Sequence, residues 1–522
     1  MGRYLNPGGE GFKVLLNSDI CVDKTVLLKY VNSVINTTYR YLCVSRPRRF
    51  GKTTTMNMLS AYYGVTVDGA DIFKDMKIAQ DRDYKKHLNK YNIIKVEVVK
   101  MGLAESSVDK WVAKLRKVLM YDFKKTYPDL EFIDEDDFIM CMEDVYEYTG
   151  KKFIILIDEW DVLFREREND VAAQKQYLDF LRMWLKDQDY IALAYMTGIL
   201  PVKKYGKHSA LNMFKEYSME NPRELQEFVG FTADEVKQLC LKYGMDYRQC
   251  KAWYDGYTFL NVKEIYNPLS VVEAMTSRYY ANYWNKTETF EALKVYIDLN
   301  YDGLKDSILT LMAGERRKIV VDNFSNDMVT FNSADDVMTL LIHLGYLGYD
   351  IEREEVFIPN NERRTEFAAA VRNNSGYAEV AKAIKTSDEL LEATIACDAE
   401  KVAQLIENAH LETSHIQYND ENALSYTISL AYYTARKKYN IIREMPAGKG
   451  FADMIFLPLP HHPELPAMII ELKWDKSAET AISQIENKKY SEALKGYEGN
   501  ILLVGINYDK TTRKHFCEIK RG

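Results

Sequence analysis

The sequence predicts an α/β protein in which two separate α/β modules flank a mainly helical region. In the first third of the chain, short apolar runs typical of buried strands alternate with helical patterns, which indicates βαβ units around a parallel sheet. From residue 231 to about residue 362, helical periodicity dominates. After residue 416, strand patterns return around one further helix, which indicates the second module.

The order of these patterns also predicts domain boundaries. A chain of 522 residues is long enough for three or four domains of ~100–200 residues each. We expect an α/β core over residues 1–225 and a helical lid over residues 226–362, whose terminal hairpin pattern suggests a winged-helix-like unit. A charged helical connector over residues 363–415, more a connector than a core, leads to the second α/β domain over residues 416–522.

The composition argues against several classes of protein. The net charge of −8 gives no general attraction for nucleic acid, although a local basic site is compatible with it. The seven cysteines are odd in number and form no CxxC pair, which argues against a disulfide framework or zinc ribbon and favours a reducing compartment. No apolar run approaches the ~18 residues of a membrane span, and the N-terminus lacks signal-peptide features. We therefore expect a soluble cytoplasmic protein with no membrane partner.

In the first module, four runs read as strands and the segments between them as helices. The predicted strands are Tyr39–Ser45, Ile93–Val99, Phe153–Ile157 and Ile191–Met196. The predicted helices are Thr53–Tyr63, Ser106–Lys125 and Ala172–Lys186. The FIILI run at Phe153–Ile157 is apolar throughout, which is typical of a central strand covered on both faces.

A Gly-Lys-Thr sequence at the first strand-to-helix junction predicts a phosphate-binding loop. Backbone N–H groups at a helix N-terminus hold phosphate, and Gly51 allows the backbone to approach it closely. Lys52 would reach the β- and γ-phosphates, and the hydroxyl of Thr53 would ligate Mg²⁺. Arg46 stands where the usual pattern has Gly, so a basic loop beside a helix remains the alternative. The predicted nucleotide-binding residues of this loop are Arg46, Arg48, Phe50, Gly51, Lys52, Thr53 and Thr54.

A second element favours the nucleotide site over that alternative. The strand Phe153–Ile157 ends in two acids, as in a Walker B motif: Asp158 would hold Mg²⁺ through water, and Glu159 would orient the attacking water. Thr197 ends the next strand, where it would sense the γ-phosphate or simply close a turn. Arg49, with the two other arginines of the loop, would contact phosphate or a neighbouring subunit's nucleotide. ATP and Mg²⁺ are therefore the predicted cofactors, and a homo-oligomer stays open.

These motifs resemble one known family. SRPRRFGKTT, the upstream Val22–Thr25, LIDEWD, the WYDGY segment at Trp253–Tyr257 and Tyr266–Pro268 are similar to the bacterial predicted AAA-ATPase-like proteins. The resemblance covers roughly residues 7 to 290, and it implies a signalling-type AAA+/STAND ATP-binding core followed by a helical lid. The residues themselves give no chemical role to Val22–Thr25 or to WYDGY, whose aromatic side chains are more typical of packing.

The last module carries a cluster of acids and a lysine on predicted strands. Side chains alternate along a strand, so Glu471 and Lys473 share one face, and Asp453 on the preceding strand lies within cross-strand reach. Two carboxylates on a half-buried face are costly unless they coordinate a cation, and Mg²⁺ is the natural ligand. Lys473 would position or deprotonate the attacking water. The alternative is a structural salt bridge on a sheet edge.

This constellation resembles the PD-(D/E)XK nuclease superfamily over about residues 415 to 520. Asp453 matches the superfamily's Asp, and Glu471-Leu472-Lys473 matches its (D/E)XK triplet. The resemblance implies a metal-binding role for Glu421 on the preceding helix and motif roles for Gln484 and Tyr490 on the following helix. Ala452 departs from the usual Pro before the Asp, and a shared fold does not by itself imply activity.

Together these features predict a nucleotide-controlled nuclease. In this hypothesis ATP binding or hydrolysis gates Mg²⁺-dependent cleavage of DNA or RNA, with Glu159, Asp453, Glu471 and Lys473 as the catalytic residues. The alternative is an ATP-controlled switch or assembly protein whose last domain only binds nucleic acid or a protein. A metabolic kinase is a third interpretation, but no motif for a small-substrate pocket supports it.

Overall fold

A computed structural model describes residues 2–104, 106–205, 208–209, 211–284, 290–299, 301, 303–372, 377–412, 421–447, 450–459, 462–488 and 499–522. The helices are α1 (Glu10–Leu16), α2 (Leu27–Val34), α3 (Lys52–Tyr63), α4 (Gly69–Phe73), α5 (Tyr84–His87), α6 (Val108–Thr126), α7 (Phe138–Thr149), α8 (Val162–Glu166), α9 (Val171–Leu185), α10 (Ala233–Tyr243), α11 (Tyr247–Tyr254), α12 (Pro268–Ser277), α13 (Phe290–Ile297), α14 (Leu304–Met312), α15 (Ala334–His343), α16 (Asn361–Arg372), α17 (Ala378–Ile395), α18 (Ala399–Glu412), α19 (Glu421–Ala431) and α20 (Ala478–Asn487). The strands are β1 (Tyr41–Ser45), β2 (Asn92–Glu97), β3 (Phe153–Asp158), β4 (Ile191–Gly198), β5 (Lys204–Tyr205), β6 (His208–Ser209), β7 (Lys215–Tyr217), β8 (Phe231–Thr232), β9 (Ile265–Tyr266), β10 (Arg317–Lys318), β11 (Gly348–Asp350), β12 (Glu355–Phe357), β13 (Tyr439–Ala447), β14 (Gly450–Pro458), β15 (Ala467–Trp474), β16 (Ile501–Asp509) and β17 (Lys514–Arg521).

The chain divides into two compact units that are interleaved along the sequence. Unit 1 comprises Met1–Met245, Asp255–Arg278 and Lys318–Val356. Unit 2 comprises Asp246–Tyr254, Tyr279–Arg317 and Phe357–Gly522. The polypeptide therefore passes from one unit to the other several times.

Unit 1 is built on a five-stranded parallel sheet of order β2–β3–β4–β1–β7. Strands β1, β3 and β4 are buried along their whole length, as their apolar sequences predict. Helices α2 and α3 pack on the sheet through a core that includes Leu28, Leu59 and Tyr62. Because all five strands are parallel, their carboxyl ends lie along one edge of the sheet, which is where ligands bind in such folds.

Unit 2 contains a mixed five-stranded sheet of order β13–β14–β15–β16–β17. Pairs along this sheet are antiparallel except β15–β16, which is parallel with α20 as its crossover helix. The predicted class, a P-loop-type α/β domain followed by a helical region and a second α/β domain, is confirmed by these two sheets. Strands β11 and β12 lie where the hairpin was expected.

The stretch interpreted as a connector is instead part of the core of unit 2. Leu390, Leu391 and Ile406 on α17 and α18 are buried in one cluster with Met454 and Ile470 of the sheet. The charged residues of these helices cover their outer faces, so composition alone concealed an amphipathic pattern. Throughout the part of the chain that the structure describes, no helix has the length and apolar character to cross a membrane.

Candidate functional site

The loop between β1 and α3 has the geometry of an anion-binding turn. Gly51 precedes the first residue of α3 and has φ of +79°. A Cβ at this position would meet nothing within 4 Å, so the requirement for Gly here is its left-handed backbone and not crowding. The helix begins with Lys52, and no side chain caps its first N–H groups among the described residues. These donors are available for an anion.

Thr53 and Asp158 meet directly at the carboxyl edge of the sheet. The Thr53 hydroxyl donates to Oδ2 of Asp158 at 2.8 Å, although the two residues are 105 positions apart. Asp158 is the last residue of β3 and is 3% exposed, and this burial raises the pKa of its carboxyl. The structure thus brings together the two residues that the sequence assigned to one Mg²⁺ ion.

The Lys52 ammonium is held by the loop itself. Its Nζ donates to the carbonyl oxygens of Arg46 at 3.0 Å and Pro47 at 2.8 Å. Burial lowers the pKa of Lys52 to about 8, while the carboxylates of Asp161 and Asp158 oppose that shift. A phosphate replacing the two carbonyls would supply the negative charge that restores the ordinary pKa of this lysine.

A cavity of about 960 Å³ opens in front of this loop. Its polar end is lined by Arg48, Phe50, Gly51, Lys52, Thr53, Thr54, Glu159 and Arg165. Its remaining wall is largely apolar and includes Phe12, Leu15, Ile20, Met58, Phe231 and Pro268. One polar end and one apolar end suit a ligand that carries phosphates on an aromatic base.

Glu159 is held by an arginine that the sequence interpretation did not single out. Arg165 on α8 is 7% exposed, and its Nη2 lies 3.3 Å from Oε2 of Glu159. Its Nε lies 3.3 Å from Oδ2 of Asp161, which also accepts the backbone N–H groups of Ile199 and Leu200 at 2.9 Å each. Glu159 itself has φ of +54°, an uncommon value for a non-Gly residue. The i, i+4 spacing signals the pair of Arg165 with Asp161 but not its contact with Glu159.

Thr197 lies between the two motifs in the sheet. In the strand register it is the partner of Val44 on β1 and of Asp158 on β3. It is 1% exposed, and its hydroxyl has no hydrogen-bond partner among the described residues. A buried unsatisfied hydroxyl between the phosphate loop and Asp158 is suited to sensing a bound group.

Three predicted nucleotide-binding residues, Arg46, Asp158 and Thr197, are not among the residues that line the cavity. The backbone N–H of Arg46 donates to Gly198 at 2.9 Å, which extends the β1–β4 ladder and turns the side chain inward. There its Nη1 donates to the carbonyl of Phe228, and burial lowers its pKa to about 10. Arg46 is thus buried away from the lining of the cavity, and its contact with phosphate stays a prediction. Arg48 and Arg49 are exposed and line the cavity.

The two motifs without a derived role have structural partners. The Asp23 carboxylate accepts from Thr25 and from the backbone of Lys77, which fixes a turn on the cavity wall. Lys24 pairs with Glu235 at 2.6 Å, a contact across 211 positions of sequence.

In the WYDGY segment, Tyr254 and Tyr257 are buried. The Tyr257 ring packs edge-on against Phe50 of the phosphate loop, with the centroids 5.3 Å apart. These contacts agree with a packing role for the segment.

The cluster of unit 2 forms where two strands separate. The β14–β15 pairing ends at Met454 and Ile470. Beyond that point, Oδ2 of Asp453 accepts the backbone N–H of Leu472 at 2.7 Å, so a side chain replaces the missing ladder bond. The separation of β14 and β15 places Asp453 beside Glu471, on the face of the sheet that α20 covers.

Glu471 lies in the buried part of this cluster. It is 1% exposed, and its Oε1 lies 2.9 Å from Nζ of Lys473 and accepts from Gln484 on α20. Its Oε2 is buried without a hydrogen-bond partner among the described residues. Burial raises the pKa of Glu471 to about 7, and the nearby Asp453 adds to the rise. An unpartnered carboxylate oxygen next to a second carboxylate fits a divalent cation.

Two predicted members of this site are outside the described side chains. Glu421 begins α19, but its side chain lies outside the described part of the chain, as does all of Tyr490. Within the described residues, no group of three metal-ligating side chains comes together. Asp453, Glu471, Lys473 and Gln484 are therefore the predicted nuclease residues that the structure brings together.

A glycine sets how closely α20 covers the cluster. Gly505 on β16 is the register partner of Glu471. A Cβ on Gly505 would lie 2.5 Å from the carbonyl oxygen of Ala478 on α20. The absence of a side chain here allows the helix to carry Gln484 to the carboxylate.

Two stretches of the chain match models of known families. Residues 8–207 match the family model described as "Predicted AAA-ATPase". Residues 421–518 match the model of the PD-(D/E)XK nuclease superfamily. No curated protein matches the chain.

Proposed function

Because the chain joins an AAA-ATPase-like domain to a PD-(D/E)XK nuclease superfamily domain, we propose that it is an ATPase whose nucleotide state controls cleavage of nucleic acid. The observation that carries the ATP half is the 2.8 Å hydrogen bond between Thr53 and Asp158, because Thr53 and the adjacent Lys52 line a large cavity. The interleaving of the two units along the chain supports coupling between them.

In the ATP site, each side chain has a defined task. Lys52 would exchange its two carbonyl partners for β- and γ-phosphate oxygens, beside the free N–H groups of α3. A Mg²⁺ ion held by Thr53 and Asp158 would neutralise charge between those phosphates. Glu159 would orient the attacking water once its carboxylate leaves Arg165, and Thr197 would respond to the γ-phosphate.

In the nuclease site, Asp453 and Glu471 would hold a divalent cation. Such a cation supplies charge stabilisation at the scissile phosphate and lowers the pKa of bound water toward ~7. Lys473 would position the attacking water by donating from its ammonium, which already lies in the cluster, and would act as a general base only after losing its own proton. Gln484 would orient Glu471 through their hydrogen bond.

A cytoplasmic setting and a homo-oligomer belong to the same proposal. The seven cysteines are free, which fits a reducing compartment. Arg48 and Arg49 are exposed at the rim of the nucleotide cavity, where a second copy of the chain would meet them.

One observation favours a second candidate, an ATP-controlled switch. The ion pair with Arg165 engages the Glu159 carboxylate, and a carboxylate in an ion pair is a poor water-orienting group until it is released. Slow hydrolysis with long-lived ATP binding would suit a switch whose last domain only binds nucleic acid or a protein.

The test is cation-dependent cleavage of a panel of DNA and RNA molecules. We expect Asp453→Ala to remove both Mn²⁺ binding and cleavage, and Lys473→Ala to remove cleavage while sparing Mn²⁺ binding. Glu479→Gln, an exposed carboxylate on the same helix as Gln484, is the matched control and should cut normally. A wild-type protein that ignores millimolar Mn²⁺ in thermal melts and cuts no substrate under any nucleotide condition would leave only the switch.

A further inference from the structure

Unit 2 contains a second charged cluster, which the proposed nuclease chemistry does not use. Arg364 on α16 and Arg436 in the turn after α19 converge on the turn at Gly314. A Cβ built on Gly314 would lie 3.0 Å from Nη2 of Arg436 and 3.9 Å from Nη1 of Arg364. Two guanidinium groups from distant parts of the chain therefore meet at one point.

A third arginine joins the cluster with a carboxylate. Arg443 on β13 pairs with Glu315, the residue after Gly314, and donates to Oγ of Ser425 at 2.7 Å. Its charge is close enough to Arg436 to lower the pKa of that guanidinium. Three arginines and one glutamate leave a net charge of about +2 at this place.

Among the described residues, the Arg436 side chain donates hydrogen bonds to neutral groups, and the Arg364 side chain has an unpartnered donor. Arg436 donates to the carbonyls of Ala313 at 3.0 Å and Ser429 at 3.3 Å. Nη1 of Arg364 is buried and has no partner among the described residues. Burial lowers the pKa of Arg436 to about 9, and Arg364 adds to this effect. Like charges gathered with too few acids are unfavourable unless an anion compensates them.

The cluster lies on the opposite face of the sheet from the nuclease carboxylates. Arg443 is the register partner of Met454, whose side chain packs in the core against α19. Directly opposed residues of an antiparallel pair point to the same face, and the adjacent Asp453 points to the other. The cluster is thus a separate site and not an extension of the cation site.

We propose that Arg364, Arg436 and Arg443 form a phosphate-binding site. Guanidinium groups present paired N–H donors that match phosphate oxygens, and a charge of about +2 matches one phosphate monoester or two neighbouring phosphodiesters. Each of the three residues is partly exposed as a whole, although Nη1 of Arg364 is buried. The bound phosphate belongs either to the backbone of a nucleic acid or to a free phosphate compound, and both would make the same contacts with the three arginines. Only the nucleic-acid source rests on the proposed function.

The first arm of the test uses inorganic phosphate and thermal melts of the full chain at constant ionic strength. All proteins carry Lys52→Ala, so that the phosphate loop does not contribute to the shift. We expect millimolar phosphate to raise the melting temperature by several degrees, and Arg364→Gln to lose most of that rise. Arg364→Lys keeps the charge without the paired donors and should lose part of it. Arg521→Gln, an exposed arginine at the end of β17, is the control and should keep it.

The second arm measures anisotropy of a labelled oligonucleotide in EDTA, which separates the two sources. Weaker binding by Arg364→Gln, with a salt slope lower by about 1, would assign the site to a nucleic-acid backbone. Unchanged oligonucleotide binding alongside a lost phosphate shift would assign it to a free phosphate compound. A phosphate shift that is absent, or equal in Arg364→Gln and Arg521→Gln, would overturn the site while leaving the ATP and nuclease proposals untouched.

Discussion

Cation binding by Asp453 and Glu471 should weaken as the pH falls through 7. Burial and then Asp453 raise the pKa of Glu471 to about 7, against an ordinary value of 4.5, while Lys473 opposes the rise. A proton and a divalent cation compete for the same carboxylate. The affinity for the divalent cation is therefore at its maximum above the pKa of Glu471 and decreases as the pH falls through that pKa.

The expected size follows from the ionised fraction of Glu471. A carboxyl with a pKa of about 7 is about nine-tenths ionised at pH 8 and about one-tenth ionised at pH 6. The affinity for Mn²⁺ should then fall about tenfold over this interval, whereas an ordinary carboxyl would change it by only a few per cent. The same shift lowers the free energy of unfolding of the cation-free protein by roughly 3 kcal/mol above pH 7. This destabilisation is absent below about pH 4.5, where the carboxyl is protonated in both the folded and the unfolded state.

Calorimetric titration with Mn²⁺ at pH 6, 7 and 8 measures this dependence. Glu471→Gln should bind Mn²⁺ weakly at every pH and lose the pH dependence. The exposed Glu479→Gln should follow the wild type. Equal Mn²⁺ affinity at pH 6 and pH 8 in the wild type would refute the assignment of Glu471 as a cation ligand with a raised pKa.

Three further predictions concern the ATP site and the packing of α20. Lys52→Ala should weaken ATP binding by ~10- to 150-fold in calorimetry, because a charge-assisted contact to phosphate contributes about 1.5–3 kcal/mol. Undiminished affinity would contradict the phosphate-loop assignment. Glu159→Gln should keep ATP bound and slow phosphate release by at least ~10²-fold, and an unchanged rate would move the catalytic role elsewhere. Gly505→Ala should destabilise the protein by about 1–3 kcal/mol in urea unfolding, because its Cβ would lie 2.5 Å from Ala478, whereas the exposed Gly499→Ala should have little effect.

The sequence predicted the parts of the ATP site that depend on local order. Lys52 and Thr53 follow a buried strand and open a helix, and Asp158 ends another buried strand, so parallel topology brings them to one edge. The sequence pattern did not predict that the backbone of Arg46 continues the pairing of β1 with β4. Side chains alternate along a strand, so an error of one residue in the strand end reverses the predicted direction of a side chain. The Arg165–Glu159 pair depends on a turn with positive φ at Glu159, which no residue pattern signals.

The nuclease-like site was predictable for a different reason. Alternation along β15 put Glu471 and Lys473 on one face without knowledge of the tertiary structure. Strand β7 was missed because Lys215–Tyr217 is too short to show alternation and is defined only by pairing with β1. Arg364 and Arg436 converge on Gly314. Arg436 and its partner Ala313 are 123 positions apart in the sequence, so sequence spacing does not reveal this contact.

The central claim is that nucleotide in unit 1 controls cleavage by unit 2, and one cleavage assay tests it most directly. The rate of oligonucleotide cutting is measured in Mg²⁺ without nucleotide, with ADP, with ATP and with a non-hydrolysable ATP analogue. The wild type should cut at a rate that depends on nucleotide, Lys52→Ala should cut at one nucleotide-independent rate, and Glu471→Gln should not cut. Wild-type cleavage that is the same in all four conditions would contradict the coupling.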